Sequence, residues 1–459
     1  MVVQTVLLGS APALRAALMT IKAQPDVGAN VIGVGIVGKG DGFPDALACA
    51  ANWDALDLKK FSERRLLLAE MPPPAVVKAL LARAVEVGAQ LWVIEERRTR
   101  RLELDDLFDR PLQALDWSRI GAAITGKRVL ITGGGGSIGL QLARRIVSLS
   151  PHRLTLLDSS ELNLFNAARA IPAATLALAD IRGSGSMRRW FDREKPDVVF
   201  HAAALKQVPL VEQFASEGLL TNVCGLRNVV EAAHANDADF IFVSTDKAVS
   251  PSGVMGATKR LGELYCQALD RRGARRAIPV RLGNVLGSAG SVAPVFEAQV
   301  AAGGPLTVTD PAATRFFMSI PQAAKALLQA CAAGLEADHQ RGMVYTIDMG
   351  DALRVVDLAR DMIRLAGRQP ERDIKIIFTG LRPGERLHER LLGEDEWSEP
   401  SPATGVIAAA SAPHGIGELH EIMERLEMLA REGADKALVE ELFAAIAPGP
   451  VTRARVAAL

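Results

Sequence analysis

Short apolar runs alternate along the N-terminal part of the chain with segments of helical periodicity. The run VVQTVLL (2–8) precedes a helical stretch, and further β-like runs follow at 30–38 and 64–70. Residues 72–94 combine a helical pattern with a final apolar strand. Such alternation is typical of a parallel sheet covered by helices. The pattern therefore predicts a small N-terminal Rossmann-like α/β domain over residues 1–105.

A second and stronger alternating series follows a polar stretch that we interpret as a connector over residues 106–126, interrupted by Pro111. The segment KRVLITGGGGSIGLQLARRIVSLS (127–150) has the pattern of a strand, a turn and a helix. Further apolar strands recur near residues 153–157, 197–201, 239–244 and 277–282. This spacing predicts an α/β fold with a Rossmann-like doubly wound parallel sheet.

The pattern becomes less regular after residue 285, where helices alternate with Gly- and Pro-containing segments. We interpret this part as a smaller substrate-binding region interwoven with the sheet, which gives a catalytic domain over residues 127–400. Two helical stretches then predict a C-terminal helical segment over 401–459.

Charge and cysteine content restrict the class of function. Lys+Arg and Asp+Glu number 53 each, so the net charge of zero provides no field that attracts nucleic acid or an anionic membrane. The four cysteines are scattered, which favours reduced thiols over a disulfide framework or a zinc site. The sequence contains no run of about 18 apolar residues, so it predicts no membrane span. We therefore expect a cytoplasmic protein without a metal site.

The glycine-rich segment ITGGGGSIG predicts a dinucleotide site. Its glycines, Gly133, Gly136 and Gly139, follow an apolar strand and open a helix, so a pyrophosphate can approach the backbone and the helix N-terminus. The next strand ends in Asp158, 19 residues beyond Gly139, where a carboxylate can bind the ribose hydroxyls and repel a 2′-phosphate. The cofactor is therefore predicted to be NAD. The predicted contacts in this motif also include Thr132, Ser137 and Ile138.

Two further strand ends extend the predicted cofactor site. Asp180 and Ile181 in LADIR lie where a side chain can meet adenine, and Ala202 and Ala203 in HAAAL leave room for the cofactor. His201 is expected to be a packed, hydrogen-bonded residue rather than a catalyst.

Six segments occur together and in order: TGGGGSIG, HAAALKQVPLVE, TNVCGLRNVVEAA, STDKAVSPSGVMGATKR, RLGNVLGSAGSVAPVF and TGLRPGERLHE. Over roughly residues 105–395 the chain resembles the extended short-chain dehydrogenase/reductases. Within that superfamily it resembles the nucleotide-sugar 4,6-dehydratases of the capsular polysaccharide biosynthesis type. The long members carry a similar N-terminal α/β domain after several transmembrane helices. The resemblance thus leaves two expectations, a soluble member or a segment of a longer protein held at the inner membrane.

The resemblance implies a reaction on a UDP-sugar, with UDP-N-acetylglucosamine as the expected substrate. NAD takes a hydride from C4, the resulting ketone acidifies the C5 proton, water is eliminated across C5 and C6, and the hydride returns to C6. In this reaction Asp246 is implied to protonate the departing 6-hydroxyl and Lys247 to take the C5 proton. Both follow the strand DFIFVS, at the sheet edge where such folds carry out chemistry.

The chain departs from many relatives at Met255. In relatives of this superfamily, the lysine that corresponds to Lys259 contacts the nicotinamide ribose, so the resemblance implies a cofactor contact for Lys259 as well. Those relatives place a tyrosine four residues before this lysine, and a thioether cannot accept a proton at neutral pH. The 4-hydroxyl proton is therefore expected to leave through Thr245, Asp246 or a bound water. The methionine-containing subgroup that the chain resembles retains the C5 configuration. Tyr265 lies six residues after Lys259, which is not a helical neighbour position, so we do not expect it to replace the missing phenol.

The same resemblance implies a set of contacts to the nucleotide sugar. Arginine suits bidentate phosphate binding, and glutamate suits ribose hydroxyls. The predicted substrate-binding residues are Lys206, Asn284, Arg315, Arg382 and Glu385.

Three functions remain open at this point. The first is the 4,6-dehydratase, the second is a UDP-sugar 4-epimerase that uses the same first hydride step, and the third is a silent NAD-binding sensor or scaffold. An epimerase needs no Asp–Lys elimination pair and normally keeps the tyrosine.

The N-terminal domain is expected to have a structural or oligomerisation role in a homo-oligomer, and binding of a ligand is the alternative.

Overall fold

The computed structural model describes residues 4–23, 30–39, 43, 45–95, 98–108, 115–273 and 275–447 of the chain. These residues form two compact units. The first consists of the described residues of Met1–Pro111 with Val295–Ala312 and Arg354–Gly380. The second consists of those of Leu112–Pro294, Ala313–Leu353 and Leu381–Leu459.

The strands are β1 (Gln4–Gly9), β2 (Asn30–Val37), β3 (Ala48–Ala50), β4 (Arg65–Leu68), β5 (Gln90–Glu95), β6 (Arg98–Arg101), β7 (Arg128–Thr132), β8 (Arg153–Asp158), β9 (Thr175–Leu178), β10 (Val198–His201), β11 (Asp239–Thr245), β12 (Ala277–Leu282), β13 (Asn284–Leu286), β14 (Leu306–Val308), β15 (Thr314–Arg315), β16 (Phe317–Ser319), β17 (Val344–Ile347), β18 (Leu353–Arg354), β19 (Ile376–Phe378), β20 (Trp397–Pro400) and β21 (Val406–Ala410).

The α-helices are α1 (Ala11–Ala23), α2 (Pro74–Glu86), α3 (Leu104–Phe108), α4 (Trp117–Ile124), α5 (Ser137–Val147), α6 (Glu161–Ala170), α7 (Ser184–Glu194), α8 (Val208–Gln213), α9 (Ala215–Leu219), α10 (Leu226–Ala235), α11 (Val254–Arg272), α12 (Val292–Ala301), α13 (Ile320–Glu336), α14 (Val355–Leu365), α15 (Ile416–Glu432) and α16 (Asp435–Ala445). Within the described residues, no helix combines the length and apolar character needed to cross a bilayer.

The first unit is built on a six-stranded sheet with the order β3-β2-β1-β4-β5-β6. All neighbouring strands are parallel except β5 and β6. Leu7, Leu14, Ile36 and Leu67 are fully buried in its core, which is why the apolar runs of the N-terminal sequence form adjacent strands. The N-terminal α/β prediction is confirmed.

The second unit contains a nine-stranded sheet with the order β20-β21-β17-β12-β11-β10-β7-β8-β9. Strands β7 to β12 and β17 are parallel, and β20 and β21 are antiparallel to their neighbours. Starting from β7, the chain first builds outward through β8 and β9 and then crosses to β10. This reversal makes the crevice at the carboxyl ends of β7 and β10 the expected ligand site. The doubly wound parallel sheet predicted from the sequence is confirmed.

Apolar side chains cover both faces of the large sheet. Ile131 and Phe200 belong to the core on one face, and Leu130 and Phe242 belong to the core on the other. All four side chains are fully buried. Burial of each such side chain contributes roughly 1.5–3 kcal/mol, so the two layers hold the strand ends at fixed positions.

The ends of the second unit contain structure that the sequence patterns predicted only in part. Ile120 and Ile124 of α4, in the stretch interpreted as a connector, are buried in the core. Pro111 lies outside the described residues. The C-terminal helices α15 and α16 are present as predicted, but β20 and β21 extend the sheet as an antiparallel pair that the helical interpretation did not include.

Candidate active site

The glycine-rich turn between β7 and α5 leaves no room for side chains. Gly133 has φ +65°, and a Cβ there would lie 2.7 Å from the backbone nitrogen of Ala203. A Cβ at Gly139 would collide with the carbonyl oxygen of Gly133. The helix begins after Gly136, a residue without a side chain that could cap its first N–H groups. The first N–H groups of α5 therefore have no side-chain cap, as a pyrophosphate site at a helix N-terminus requires.

Asp158 lies at the carboxyl end of β8, next to this turn. Its Oδ2 accepts a hydrogen bond of 3.1 Å from the backbone N–H of Gly135, and its Oδ1 accepts one of 2.9 Å from that of Ser160. The carboxylate is thereby fixed in position, and each oxygen keeps a further lone pair for a hydroxyl donor.

Thr132 and His201 form a buried pair beneath the turn. Thr132 Oγ1 lies 2.8 Å from His201 Nδ1, and His201 is 1% exposed. Burial lowers the pKa of His201 to about 3, and the positive charge of Lys259 adds to this effect. His201 is therefore neutral and packed, as expected from the sequence. The half-buried Ala202 and Ala203 follow it along the crevice.

Asp180 and Ile181 lie after β9. Asp180 is paired with Arg182 through hydrogen bonds from the backbone and from Nε, both of 2.9 Å. Ile181 is buried, and its carbonyl oxygen accepts a hydrogen bond of 3.1 Å from Asn228. These contacts fix the loop but leave the predicted adenine contact as a prediction.

The predicted catalytic residues meet at the carboxyl end of β11. Thr245 Oγ1 donates a hydrogen bond of 2.9 Å to Asp246 Oδ1, and Lys247 Nζ donates one of 2.9 Å to the same oxygen. Lys247 Nζ also donates one of 2.7 Å to Asn284 Oδ1. Asp246 is fully buried, and among the described residues its Oδ2 has no hydrogen-bond partner. A buried carboxylate with an unsatisfied oxygen is costly unless a further donor binds there.

Met255 and Lys259 lie on the N-terminal turns of α11. Gly256 packs so closely on the carbonyl of Lys247 that a Cβ would overlap it. This end of the helix therefore lies against the turn of Thr245, Asp246 and Lys247, which we call the catalytic turn after its predicted role. Lys259 Nζ donates a hydrogen bond of 3.0 Å to the carbonyl oxygen of Val243, and burial lowers its pKa to about 8. Met255 is buried and is 3% exposed.

Tyr265 does not take the place of the missing phenol. Its hydroxyl donates to Glu231 at 3.0 Å and lies 3.1 Å from His420 Nε2, in contacts with α10 and α15. The three side chains that meet there are separate from the Asp246–Lys247 turn.

Asn222 is a structural residue of the site that sequence reasoning missed. It lies in a short π-helical segment, Leu220–Gly225, of the kind that often occurs at functional sites. Its side chain accepts from the backbone N–H of Leu205 at 2.8 Å and donates to the carbonyl of Leu205 at 2.9 Å and to Thr258 at 3.1 Å. It therefore ties the loop after β10 to α11.

Glu389 is the second residue that was missed. Its Oε1 lies 3.7 Å from Lys247 Nζ and 3.9 Å from Arg315 Nε, and its side chain is 4% exposed. Burial raises its pKa, the charge of Lys247 opposes this rise, and the charge of Asp246 adds to it. Its position at the end of TGLRPGERLHE is the only sequence signal that could have indicated it.

Arg315 is buried and directs its donors to the backbone. It donates hydrogen bonds of 2.8 Å to the carbonyl of Arg386 and of 3.1 Å to that of Leu387. In this structure it holds the strand-like segment that carries Glu389, and its predicted diphosphate contact stays a prediction.

The remaining predicted substrate residues lie on two loops. Lys206 Nζ donates a hydrogen bond of 3.2 Å to Ser288, which follows the strand that begins with Asn284.

Arg382 donates to Glu385 at 2.9 and 2.7 Å, so these two residues form an ion pair with each other. Arg386 binds the carbonyls of Val249 and Ser250, which attaches this loop next to the catalytic turn. Sequence reasoning placed Arg382 and Glu385 in one motif, but not their pairing.

A buried ion network lies directly below the catalytic turn. Arg281 donates to Glu263 at 2.7 and 2.8 Å and to Glu396 at 2.6 and 2.7 Å, and its side chain is fully buried. Ser244 donates to Glu263 at 2.7 Å, and Arg260 binds both carboxylates. The network therefore fixes the end of β11 against α11 and β12.

The corresponding turn of the first unit is arranged differently. The backbone N–H of Ser10 and its hydroxyl donate to the two carboxylate oxygens of Glu70, at 2.7 and 3.1 Å. A carboxylate of the chain itself thus lies at the start of α1.

The family match covers most of the second unit and the two later segments of the first, Val295–Ala312 and Arg354–Gly380. Residues 129–410 match the family described as polysaccharide biosynthesis protein. The chain is 40% identical over 312 residues to the capsular polysaccharide biosynthesis protein CapD of Staphylococcus aureus, covering 66% of this chain and 51% of that protein. It is also 40% identical over 305 residues to the probable polysaccharide biosynthesis protein EpsC of Bacillus subtilis, covering 65% and 50%. The chain thus spans about half the length of these curated relatives.

Among solved structures, the chain resembles Pen from Bacillus thuringiensis. The TM-score is 0.56 at 30% identity, and the match covers 63% of this chain and 87% of that one. Together these matches confirm the resemblance that the six sequence segments indicated.

Proposed function

Because the chain belongs to the family of polysaccharide biosynthesis proteins, we propose that it is an NAD-dependent UDP-N-acetylglucosamine 4,6-dehydratase. The proposed product is UDP-4-keto-6-deoxy-GlcNAc with the C5 configuration retained, used in bacterial polysaccharide or glycan synthesis. The observation that carries the proposal is the hydrogen-bonded set of Thr245, Asp246 and Lys247 at the carboxyl end of β11.

The residues of the second unit fit NAD. The uncapped N–H groups at the start of α5 would hold the pyrophosphate, the glycines of the turn would let it approach, and Asp158 would accept the ribose hydroxyls. A fixed carboxylate at that position disfavours a 2′-phosphate. Bound NAD would supply the hydride acceptor and donor for the sugar.

Asp246 and Lys247 supply the groups that elimination requires. A carboxyl group can protonate the departing 6-hydroxyl, and a neutral amine can take the acidified C5 proton. The carboxyl group of Asp246, held by Thr245 and Lys247 at the carboxyl end of β11, is the acid that we assign to the departing hydroxyl.

Thr245 and Asp246 also offer a route for the 4-hydroxyl proton in the absence of a tyrosine. The hydroxyl of Thr245 donates a hydrogen bond to Asp246. When Thr245 Oγ1 accepts the proton of the 4-hydroxyl, it can pass its own proton to the Asp246 carboxylate. Asp246 is then protonated before elimination begins. The proton of the 4-hydroxyl would thus leave with the departing water.

Two other functions make different predictions for the product. A UDP-sugar 4-epimerase would give the C4 epimer, and a silent NAD-binding protein would give no product. The direct hydrogen bond between an acid and a base favours the dehydratase, because epimerisation involves no elimination.

The test is incubation of the NAD-loaded protein with UDP-N-acetylglucosamine in deuterated water, followed by NMR of the product. We expect a 4-keto-6-deoxy sugar with solvent deuterium at C5 and the parent C5 configuration. A C4 epimer, or recovery of unchanged substrate, would contradict the proposal.

The variant Lys247→Ala sharpens this test. We expect it to lose at least about a hundredfold in dehydration, because the base is absent, while NAD content remains that of the parent. Lys436→Ala, at an exposed position of α16, is the matched control and should keep the parent rate. Dehydration by Lys247→Ala at the parent rate would contradict the assignment of Lys247 as the base.

A further inference from the structure

The amino group of Lys247 faces three acceptors. Asp246 Oδ1 lies at 2.9 Å, Asn284 Oδ1 at 2.7 Å and Glu389 Oε1 at 3.7 Å. An ammonium group has three protons to donate, so this arrangement matches the protonated form of the lysine. An ammonium cannot take the C5 proton. Lys247 must therefore lose one proton before elimination.

The three acceptors differ in their ability to receive that proton. The amide oxygen of Asn284 is not a base at neutral pH. Asp246 is needed as the acid for the departing hydroxyl and receives its proton from the sugar. Glu389 is a carboxylate with no other assigned task, so it is the remaining acceptor.

On the basis of the proposed dehydratase function, we propose that Glu389 takes the proton from Lys247 and holds it during elimination. Glu389 acts through Lys247 and is therefore a positioning residue rather than a group that touches the sugar. Its Oε1 is within ion-pair distance of Nζ but beyond hydrogen-bond distance. A rotation within the flexible lysine stem that moves Nζ by about 1 Å would form the hydrogen bond.

The surroundings of Glu389 suit a reversible proton acceptor. Four charged groups face it, namely Lys247, Asp246, Arg315 and Arg386, and its side chain is 4% exposed. Burial disfavours its charged form, and the nearby Asp246 carboxylate does the same, so its pKa is raised. Arg315 holds the backbone of the segment at Arg386 and Leu387 and keeps the carboxylate at the site.

The protons balance over one cycle. The 4-hydroxyl proton passes through Thr245 to Asp246, and this neutralises the carboxylate that held Lys247 charged. Lys247 then passes a proton to Glu389 and becomes a neutral amine. Elimination moves the Asp246 proton to the departing hydroxyl and the C5 proton to Lys247. Lys247 returns a proton to C5, and Glu389 returns its proton to Lys247.

The experiment compares Glu389→Gln with the parent in the NAD-loaded protein, by measuring dehydration of UDP-N-acetylglucosamine against pH. At neutral pH we expect a loss of about a hundredfold, since Gln cannot take the proton. The acidic limb of the pH profile should move to higher pH, because Lys247 must then lose its proton to solvent. Reduced cofactor should accumulate after substrate is mixed, because C4 oxidation does not use Glu389.

Three comparisons separate the possible outcomes. Glu394→Gln, an exposed position of the same segment, should behave as the parent. A loss in Glu389→Gln that is equal at every pH, without accumulation of reduced cofactor, would mean a structural role and overturn the inference. A parent that makes no 4-keto-6-deoxy sugar would instead overturn the proposed function.

A second variant covers the case in which Glu389→Gln does not fold, which its NAD content and circular dichroism will show. Glu389→Asp keeps the charge and withdraws the carboxylate from Lys247 by one methylene. We expect at least a tenfold slower elimination with accumulation of reduced cofactor. Elimination at the parent rate in a folded Glu389→Asp protein would overturn the inference.

Discussion

At the scale of single residues, the proposed reaction needs a group that takes the 4-hydroxyl proton in place of the phenol that Met255 lacks. A thioether accepts no proton at neutral pH, and Lys259 is directed to the carbonyl of Val243. The hydroxyl of Thr245, next to the predicted acid, donates to the carboxylate of Asp246. The proposed proton route thus depends on one hydroxyl group rather than on a phenol.

Thr245→Val removes this hydroxyl with little change of shape. We expect C4 oxidation, followed as the formation of reduced cofactor in the first turnover, to slow by about tenfold to a hundredfold. Thr245→Ser keeps the hydroxyl and should restore most of the rate, with NAD content unchanged in both variants. Equal rates for the valine variant and the parent would exclude Thr245 from the proton route.

At the scale of elements, the position of the catalytic turn depends on the buried network below it. Arg281 on β12 binds Glu263 on α11 and Glu396 just before β20, so three elements meet at one guanidinium. Burial raises the pKa of Glu396, but the hydrogen bonds and charge of Arg281 outweigh this effect and lower it to about 2. Removal of the arginine would leave two buried carboxylates without their main partner.

Arg281→Met should lower the free energy of unfolding by about 3–5 kcal/mol, since uncompensated buried charges are strongly destabilising. Urea denaturation with a structural probe measures the change. Arg372→Met is the control, because Arg372 is 74% exposed and its removal should change stability by less than about 0.5 kcal/mol. A change in Arg281→Met as small as in the control would mean that the network contributes no net stability.

At the scale of the whole molecule, buried ionisable groups determine how the fold responds to acid. The pKa of His201 is about 3 in the folded protein against an ordinary value of 6.5, because burial disfavours its charged form. The unfolded chain therefore binds this proton at higher pH than the folded chain does. The free energy of unfolding consequently falls as pH decreases from 6.5 towards 3, and Glu396 adds to the fall between 4.5 and 2.

His201→Gln should flatten the pH dependence of stability between pH 6.5 and 4.5, where Glu396 does not yet contribute. The measurement is the urea midpoint at several pH values, and the exposed His152→Gln should keep the steeper dependence of the parent. Between its two pKa values, one such group changes the free energy of unfolding by up to roughly 1.4 kcal/mol for each pH unit. An unchanged slope in His201→Gln would mean that another group binds the proton.

Local sequence patterns were sufficient to predict most of the large parallel sheet. The spacing of apolar runs predicted the strands β8, β10, β11 and β12 within a residue or two at each end, because strand burial is a local property of the pattern. The antiparallel strands β20 and β21 were missed; in β20 the four residues WSEP are all exposed and show no apolar alternation. Its pairing depends on β21 and not on its own sequence.

The amino-acid sequence by itself determined the glycine turn, the acid that ends β8 and the adjacent Asp246 and Lys247, because each of these depends on neighbours within one strand and turn. Only the tertiary structure decided that Glu389, 142 positions after Lys247, lies beside its amino group and that Arg315 binds the backbone of that segment. The physical reason is that such contacts arise between distant parts of the chain. The burial of these side chains then affects which of them are charged, and no local sequence pattern encodes that burial.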